Sequence, residues 1–367
     1  MGRGGESEYL LMNRDAPVLR FLCRRNVFDE PEFYELERVS DALPIGYRNL
    51  EQFLSHRKAP KHRAHMQELL RRAGCEDLEG FIRVAHALSL NDTFWVREAD
   101  SSLRWADVSL YRNDFDDLIS RAAFSGEFSS EVFSSTSPEF ATDGSYAKCW
   151  VREGREIFLY KSGTALNEIE PFSEFFASQI AEILCEDSVK YDLRIHHGSL
   201  VSSCPLFTSE ETGFAKISQI FHSPAPMPAL LEYFEKLGSG DAFRRMCVLD
   251  ALILDPDRHY GNFGVLFDNA GLQALKMAPV FDHNRSLFPE LSNDKLADPS
   301  WYLEKCAPRL GQDFVLTARV LLTDTIRTDL KNFSGFHFSQ HSRICFPQER
   351  LDRLDRIVAD QIRRILE

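Results

Sequence analysis

Apolar residues recur along this chain at two spacings, roughly every third or fourth residue and every second, and the alternation marks out its elements. In the first third, short apolar stripes broken by turns predict helices over residues 17–24, 31–39, 49–56 and 61–73. Asp77 then caps a helix over 78–90, with Leu78, Phe81, Ile82, Ala85 and Leu88 on one face. Phe94-Trp95-Val96 restarts the chain as a strand-like piece. Ser129, Ser130 and the run Ser134-Ser135-Thr136-Ser137 form the most small-polar stretch and predict a domain boundary or loop. Beyond it, short apolar runs at 149–151, 155–161, 189–195 and 199–207 predict a small antiparallel sheet. Phe172, Phe175, Phe176, Ile180 and Ile183 mark an amphipathic helix over 170–184.

The last third is helical by period over 228–237, 243–254, 301–306, 313–330 and 348–366. The 243–254 segment is apolar nearly all round, as a central buried helix must be. Apolar runs at 265–267 and 272–281, separated by Asp268-Asn269-Ala270-Gly271, predict a hairpin. The pattern divides the chain into a mainly helical domain at 1–125, a sheet-rich lobe at 126–225 and a helical lobe at 226–367.

Composition narrows the class. The 367 residues are 44% hydrophobic and 27% charged, in the range of soluble globular proteins. No apolar run reaches membrane-spanning length and the first residues lack a secretory core, so neither a membrane nor export is expected. Eight scattered cysteines without a C-x-x-C pair point to reduced thiols, and hence to a cytoplasmic home. A net charge of −13 disfavours direct nucleic-acid binding. The local exception, Arg57, Lys58, Lys61, Arg63, Arg71 and Arg72, reads as a solvated helix face.

Candidate chemistry gathers at Asp255-Pro256-Asp257-Arg258-His259-Tyr260-Gly261-Asn262-Phe263-Gly264. Pro256 stops the buried helix, because proline drives the residue before it out of helical geometry. Asp257, His259 and Asn262 therefore fall on a tight loop, and the hairpin returns Asp282 towards it. Asp257 and Asn262 have the D-x-x-x-x-N spacing of phosphoryl-transfer loops, in which a carboxylate orients the attacking hydroxyl while an amide and a second carboxylate hold magnesium. Lys161, at the border of a strand, precedes a helix that offers Glu168, Glu170 and Glu174 as partners. Gly144 sits in a turn that could bring backbone N–H groups to phosphates.

The D-x-H-x-x-N-F-G run with Ala278-Pro279-Val280-Phe281-Asp282-His283 resembles the HipA-like serine/threonine protein kinases, including the cell-translocating kinase A type. More distantly, Asp257-Arg258-His259 is similar to the corresponding run of phosphatidylinositol kinases. The resemblance implies an α+β fold with a two-lobed, protein-kinase-like domain over roughly residues 140–360, preceded by the helical N-terminal domain. It implies an ATP- and Mg2+-dependent kinase acting on a protein substrate, with Asp257 as base or hydroxyl-orienting residue. Asn262 and Asp282 would hold magnesium, Lys161 paired with Glu174 would contact phosphates, and His259 would brace the loop. Gly144, Ser145 and Lys148 would lie in a phosphate-covering loop, with autophosphorylation expected within residues 134–145. Family context further implies a toxin-type effector restrained by an antitoxin or other regulatory protein. A lipid kinase and a nucleotide-binding module that transfers nothing are the alternative readings of the same residues.

Overall fold

The computed structural model describes residues 6–128, 137–164, 168–333 and 335–367. The small-polar cluster from Ser129 to Thr136, read above as a boundary or loop, lies outside them. The chain divides into two compact units. The first comprises residues 1–160 with 208–215 and 267–273, and the second comprises 161–207, 216–266 and 274–367.

In the first unit, β1 (Ser7–Asn13), β2 (Ala16–Arg25), β3 (Pro31–Arg38) and β4 (Phe94–Glu98) form an antiparallel sheet of order β3-β2-β1-β4. Within residues 1–125, expected to be mainly helical, the helices predicted at 17–24 and 31–39 are instead strands β2 and β3. Along β2, Leu19, Phe21 and Cys23 are buried while Arg20 and Arg24 face solvent, a period of two that short windows confuse with a helical stripe. The turn after it is built by Asn26, whose side-chain oxygen accepts from the N–H groups of Phe28 (2.9 Å) and Glu30 (3.0 Å).

Helices α1 (Leu50–Arg57), α2 (Met66–Ala73), α3 (Leu78–Ala85), α4 (Trp105–Val108) and α5 (Asp117–Ser125) complete the layer. Asn49 and Asp77 cap α1 and α3 through their side chains. The expected helix over 78–90 stops at Ala85, where His86 turns left-handed at φ +50°. The core joins Leu11, Leu19 and Phe21 of the sheet to Leu54, Leu70 and Phe81 of the helices. Phe140 completes it from beyond the boundary expected at 125/126. Strands β5 (Lys148–Glu153) and β6 (Glu156–Ser162) follow, with β5 packed on α5.

The second unit contains α6 (Glu170–Leu184), the antiparallel pair β7 (Asp192–His196) and β8 (Ser199–Pro205), and, beyond β9 (Thr212–Lys216), a helical body. That body holds α7 (Ile217–Ile220), α8 (Met227–Lys236), α9 (Gly240–Ile253), the strands β10 (Gly264–Asp268) and β11 (Ala274–Met277), α10 (Asn293–Leu296), α11 (Ser300–Leu303), α12 (Phe314–Leu321), α13 (Asp324–Asn332) and α14 (Gln348–Leu366). Helix α9 is the axis: Met246, Val248, Leu249, Leu252 and Ile253 are fully buried, and α6, α8, α12 and α14 all pack against it. The helix expected over 313–330 is two, because Leu322 is extended and Thr323 caps α13. Among the described residues no helix is long and apolar enough to cross a membrane.

Candidate active site

Helix α9 ends at Ile253 because Leu254 turns left-handed at φ +53°, its N–H bonding back to Asp250. The next eight residues form a loop fixed by its own polar groups. The Asp255 carboxylate accepts from the N–H of Asp257 (2.8 Å). The N–H of His259 donates to Asp257 O (2.7 Å) and that of Asn262 to His259 O (2.8 Å). The Asn262 amide nitrogen also donates to Asp257 O (3.1 Å), which turns its amide oxygen outward from that bond. His259 Nδ1 accepts from the N–H of Gly261 (3.0 Å), so its remaining ring proton sits on Nε2. A Cβ at residue 261 would stand 2.8 Å from the His259 ring, which is why glycine occupies it. The Asp257 carboxylate is about one-third exposed, with the Arg309 guanidinium 3.7 Å away.

Arg258 is the member of this loop that turns inward. Wholly buried, it faces Asp250 (2.9 Å) and Asp255 (3.3 Å), and donates to the carbonyls of Asn262 (3.1 Å) and Phe281. It thus binds the loop to the backbone immediately before Asp282. His283 Nδ1 lies 3.1 Å from the same guanidinium. Burial and the Arg258 charge push the His283 ring well below its ordinary value, so it is neutral and accepts there.

Asp282 itself has φ +61°, the left-handed region that costs a non-glycine residue energy. Its surroundings hold it there: its N–H donates to the Tyr191 hydroxyl (3.0 Å), and Arg258 grips the preceding carbonyl. One Asp282 oxygen accepts from Lys161 Nζ (2.7 Å), which also pairs with Glu174 (2.5 Å). Ser202 donates its hydroxyl to the other Glu174 oxygen. Burial works against the Lys161 ammonium, yet Asp282 and Glu174 outweigh it and hold the lysine well above its ordinary range. Burial raises Glu174, with Lys161 opposing.

Of the residues singled out from sequence, Lys161, Glu174 and Asp282 are therefore in direct contact. Asp257, His259 and Asn262 share one braced loop tied by Arg258 to Phe281. Gly144, Ser145 and Lys148 belong to the first unit. There Lys148 is buried and donates to Asp143 O (2.8 Å), and Ser145 O accepts from the N–H of Ala64 (3.2 Å). Pattern reading missed Asp250, Asp255, Tyr191, Ser202 and the role of Arg258. Asp250 carried a signal: a lone carboxylate in the apolar 243–254 run requires a buried cation.

Chemically, the arrangement offers a partly exposed carboxylate (Asp257), two hard oxygen donors (Asn262 and Asp282) and a buried ammonium (Lys161). Among the described residues no group of three or more His, Cys, Asp or Glu gathers as a metal cage. Two oxygen donors suit magnesium, which ordinarily completes its shell with phosphates and water.

No protein-family model matches the chain, and no curated protein matches it. Among solved structures it is similar to the proinflammatory kinase CtkA of Helicobacter pylori, at 15% identity over 60% of this chain and 91% of that one, with a TM-score of 0.43. It is also similar to HipA of the Shewanella oneidensis MR-1 toxin–antitoxin complex with HipB and operator DNA. That likeness has 10% identity, covers 97% of this chain and 96% of the other, and has a TM-score of 0.53. Extending over nearly the whole polypeptide, it establishes that the chain has a kinase-like α+β fold of the HipA type.

Proposed function

We propose that this protein is an ATP- and magnesium-dependent kinase that transfers the γ-phosphate to a serine or threonine hydroxyl of a protein substrate. The observation that carries this reading is the contact of the buried Lys161 with both Glu174 and Asp282, beside a loop that presents Asp257 and Asn262. When bound, ATP supplies the phosphoryl group, and magnesium neutralises its charge. Asp257 orients the acceptor hydroxyl and takes its proton. Asn262 and Asp282 supply magnesium ligands, and Lys161, positioned by Glu174, meets the phosphates. His259 braces the loop through Gly261. Gly144, Ser145 and Lys148 serve as the phosphate-covering turn, and Ser145 is a self-phosphorylation target. A regulatory protein of antitoxin type is the partner this reading favours.

The test is transfer of labelled phosphate from ATP and magnesium to proteins of a cell extract. Asp257→Ala is expected to lower transfer by roughly 10² to 10⁴-fold while nucleotide binding persists. Asp282→Ala is expected to lose transfer and also to weaken magnesium–ATP binding. Wild-type turnover in both variants would refute the assignment.

A further inference from the structure

The end of α13, residues 335–337 and the outer half of α14 border a groove of about 660 Å³, a volume typical of small-molecule sites. Its floor is apolar. Leu330, Phe333 and Val358 are buried at the bottom, and Phe336, Ile362 and Leu366 are half-buried along the sides.

The charges at its edge are unequally engaged. Asp355 accepts from the N–H of Phe338 (2.9 Å) and faces His337 (2.9 Å). Asp352 accepts from Gln348 (2.7 Å), and Arg363 is paired with Glu367 (2.7 Å) and Asp360. Lys331 and Arg356 also line the groove and, among the described residues, make no ion pair. An apolar floor under two uncommitted cations is complementary to an apolar chain with an anionic head.

The segment that walls this groove also grips α6. Phe336 packs on Phe338 (5.1 Å between centroids), and Phe338 packs on Phe176 of α6 (5.4 Å). Phe346 closes on Phe176 (5.1 Å) and Phe172 (4.6 Å). Ser339 exchanges two backbone bonds with the Gln179 side chain (2.8 and 2.9 Å). Glu174, which holds Lys161, is two residues before Phe176 on the same helix. A continuous row of rings therefore runs from the groove to the helix that sets the Lys161 pair.

We propose that the groove is a regulatory site for an amphiphilic carboxylate of the fatty-acid class, whose occupancy stiffens residues 335–346 and through them α6. What that stiffening does for catalysis rests on the kinase reading; the binding and its effect on α6 do not.

The probe is dodecanoate, titrated calorimetrically into the full-length chain below its micelle concentration, with dodecanol and dodecyltrimethylammonium as comparators. Saturable binding of dodecanoate in preference to both is expected. The double variant Lys331→Glu, Arg356→Glu, at two exposed positions, is expected to weaken it on the order of tenfold, the scale of two partly exposed ion pairs. Ala359→Trp fills the groove from an exposed position and is expected to abolish it. Hydrogen exchange of the α6 amides is expected to slow on dodecanoate binding in the parent and to stay unchanged in Ala359→Trp. Equal binding of all three probes, or unaltered binding in either variant, overturns the site. Binding that leaves α6 exchange untouched overturns the coupling. Neither readout depends on phosphate transfer, so an inactive kinase would leave both results standing.

Discussion

Lys161 occupies a position where one buried cation answers two carboxylates, Glu174 buried beside it and Asp282 a quarter exposed. Glu174 and Asp282 together outweigh the burial that opposes the Lys161 charge, so removing the lysine leaves two carboxylates without their shared cation. Breaking a buried pair from one side costs about 3–5 kcal/mol. Lys161→Met is accordingly expected to lower unfolding stability by about that amount in urea titrations, and adding Glu174→Gln should recover part of it. Residue spacing already implied Lys161, Asp257, Asn262 and Asp282. It could not imply Arg258, because its bonds to Asp250 and Phe281 join residues 8 and 23 positions away in the chain. Only the folded chain brings them to one guanidinium.

At the level of elements, α9 and the loop behind it form one electrostatic unit. Asp250 near the helix end and Asp255 just past it share Arg258, two acids to one base, all buried. Burial first, then the neighbouring Asp250 against the opposing Arg258, pushes Asp255 up to about 7 from the ordinary 3.8. A carboxyl raised in this way binds its proton more tightly folded than unfolded. The stability it contributes is complete below 3.8 and is lost as pH climbs through about 7. The parent's melting temperature should therefore fall across that window, and Asp255→Asn, which can still accept from the N–H of Asp257, should flatten the fall. A slope unchanged in Asp255→Asn would show that the proton resides elsewhere. Element reading from sequence succeeded where one period dominated, at α6, α9 and α14. It failed at β2 and β3, whose pairing with β1 is decided by partners and not by local propensity.

Across the whole molecule, the division into units does not follow the order of the chain. Residues 208–215 and 267–273 leave the second unit's sequence to complete the first. Glu210 shows how firmly they are held: its carboxylate accepts from Trp105 (2.6 Å), Ser109 (3.0 Å) and Arg112 (2.8 Å). Asn269, fully buried, bonds the carbonyls of Ser209 and Glu210 (both 3.1 Å) and accepts from Asn13 (2.9 Å). A boundary drawn at residue 125 or 160 would cut through these bonds. Expressing residues 126–367 alone is therefore expected to yield aggregated or poorly cooperative protein, by size-exclusion and thermal denaturation, where the full chain melts sharply. A monomeric, cooperatively folding fragment would show that the interleaved segments are dispensable. Composition shifts suggested a linear series of domains because a sequence displays adjacency and conceals return crossings.

That interleaving has a consequence during synthesis. The first unit is not complete when its own first 160 residues have emerged from the ribosome, because Asn269 and the strip around Glu210 have yet to be translated. At roughly 5–20 residues per second, the wait for the remaining hundred or so is on the order of ten seconds. Through that interval the apolar core drawn from residues 9–141 can already pack, while Asn13, Trp105, Ser109 and Arg112 wait for their partners at Glu210 and Asn269, so the nascent first unit holds its core before it holds its polar seam.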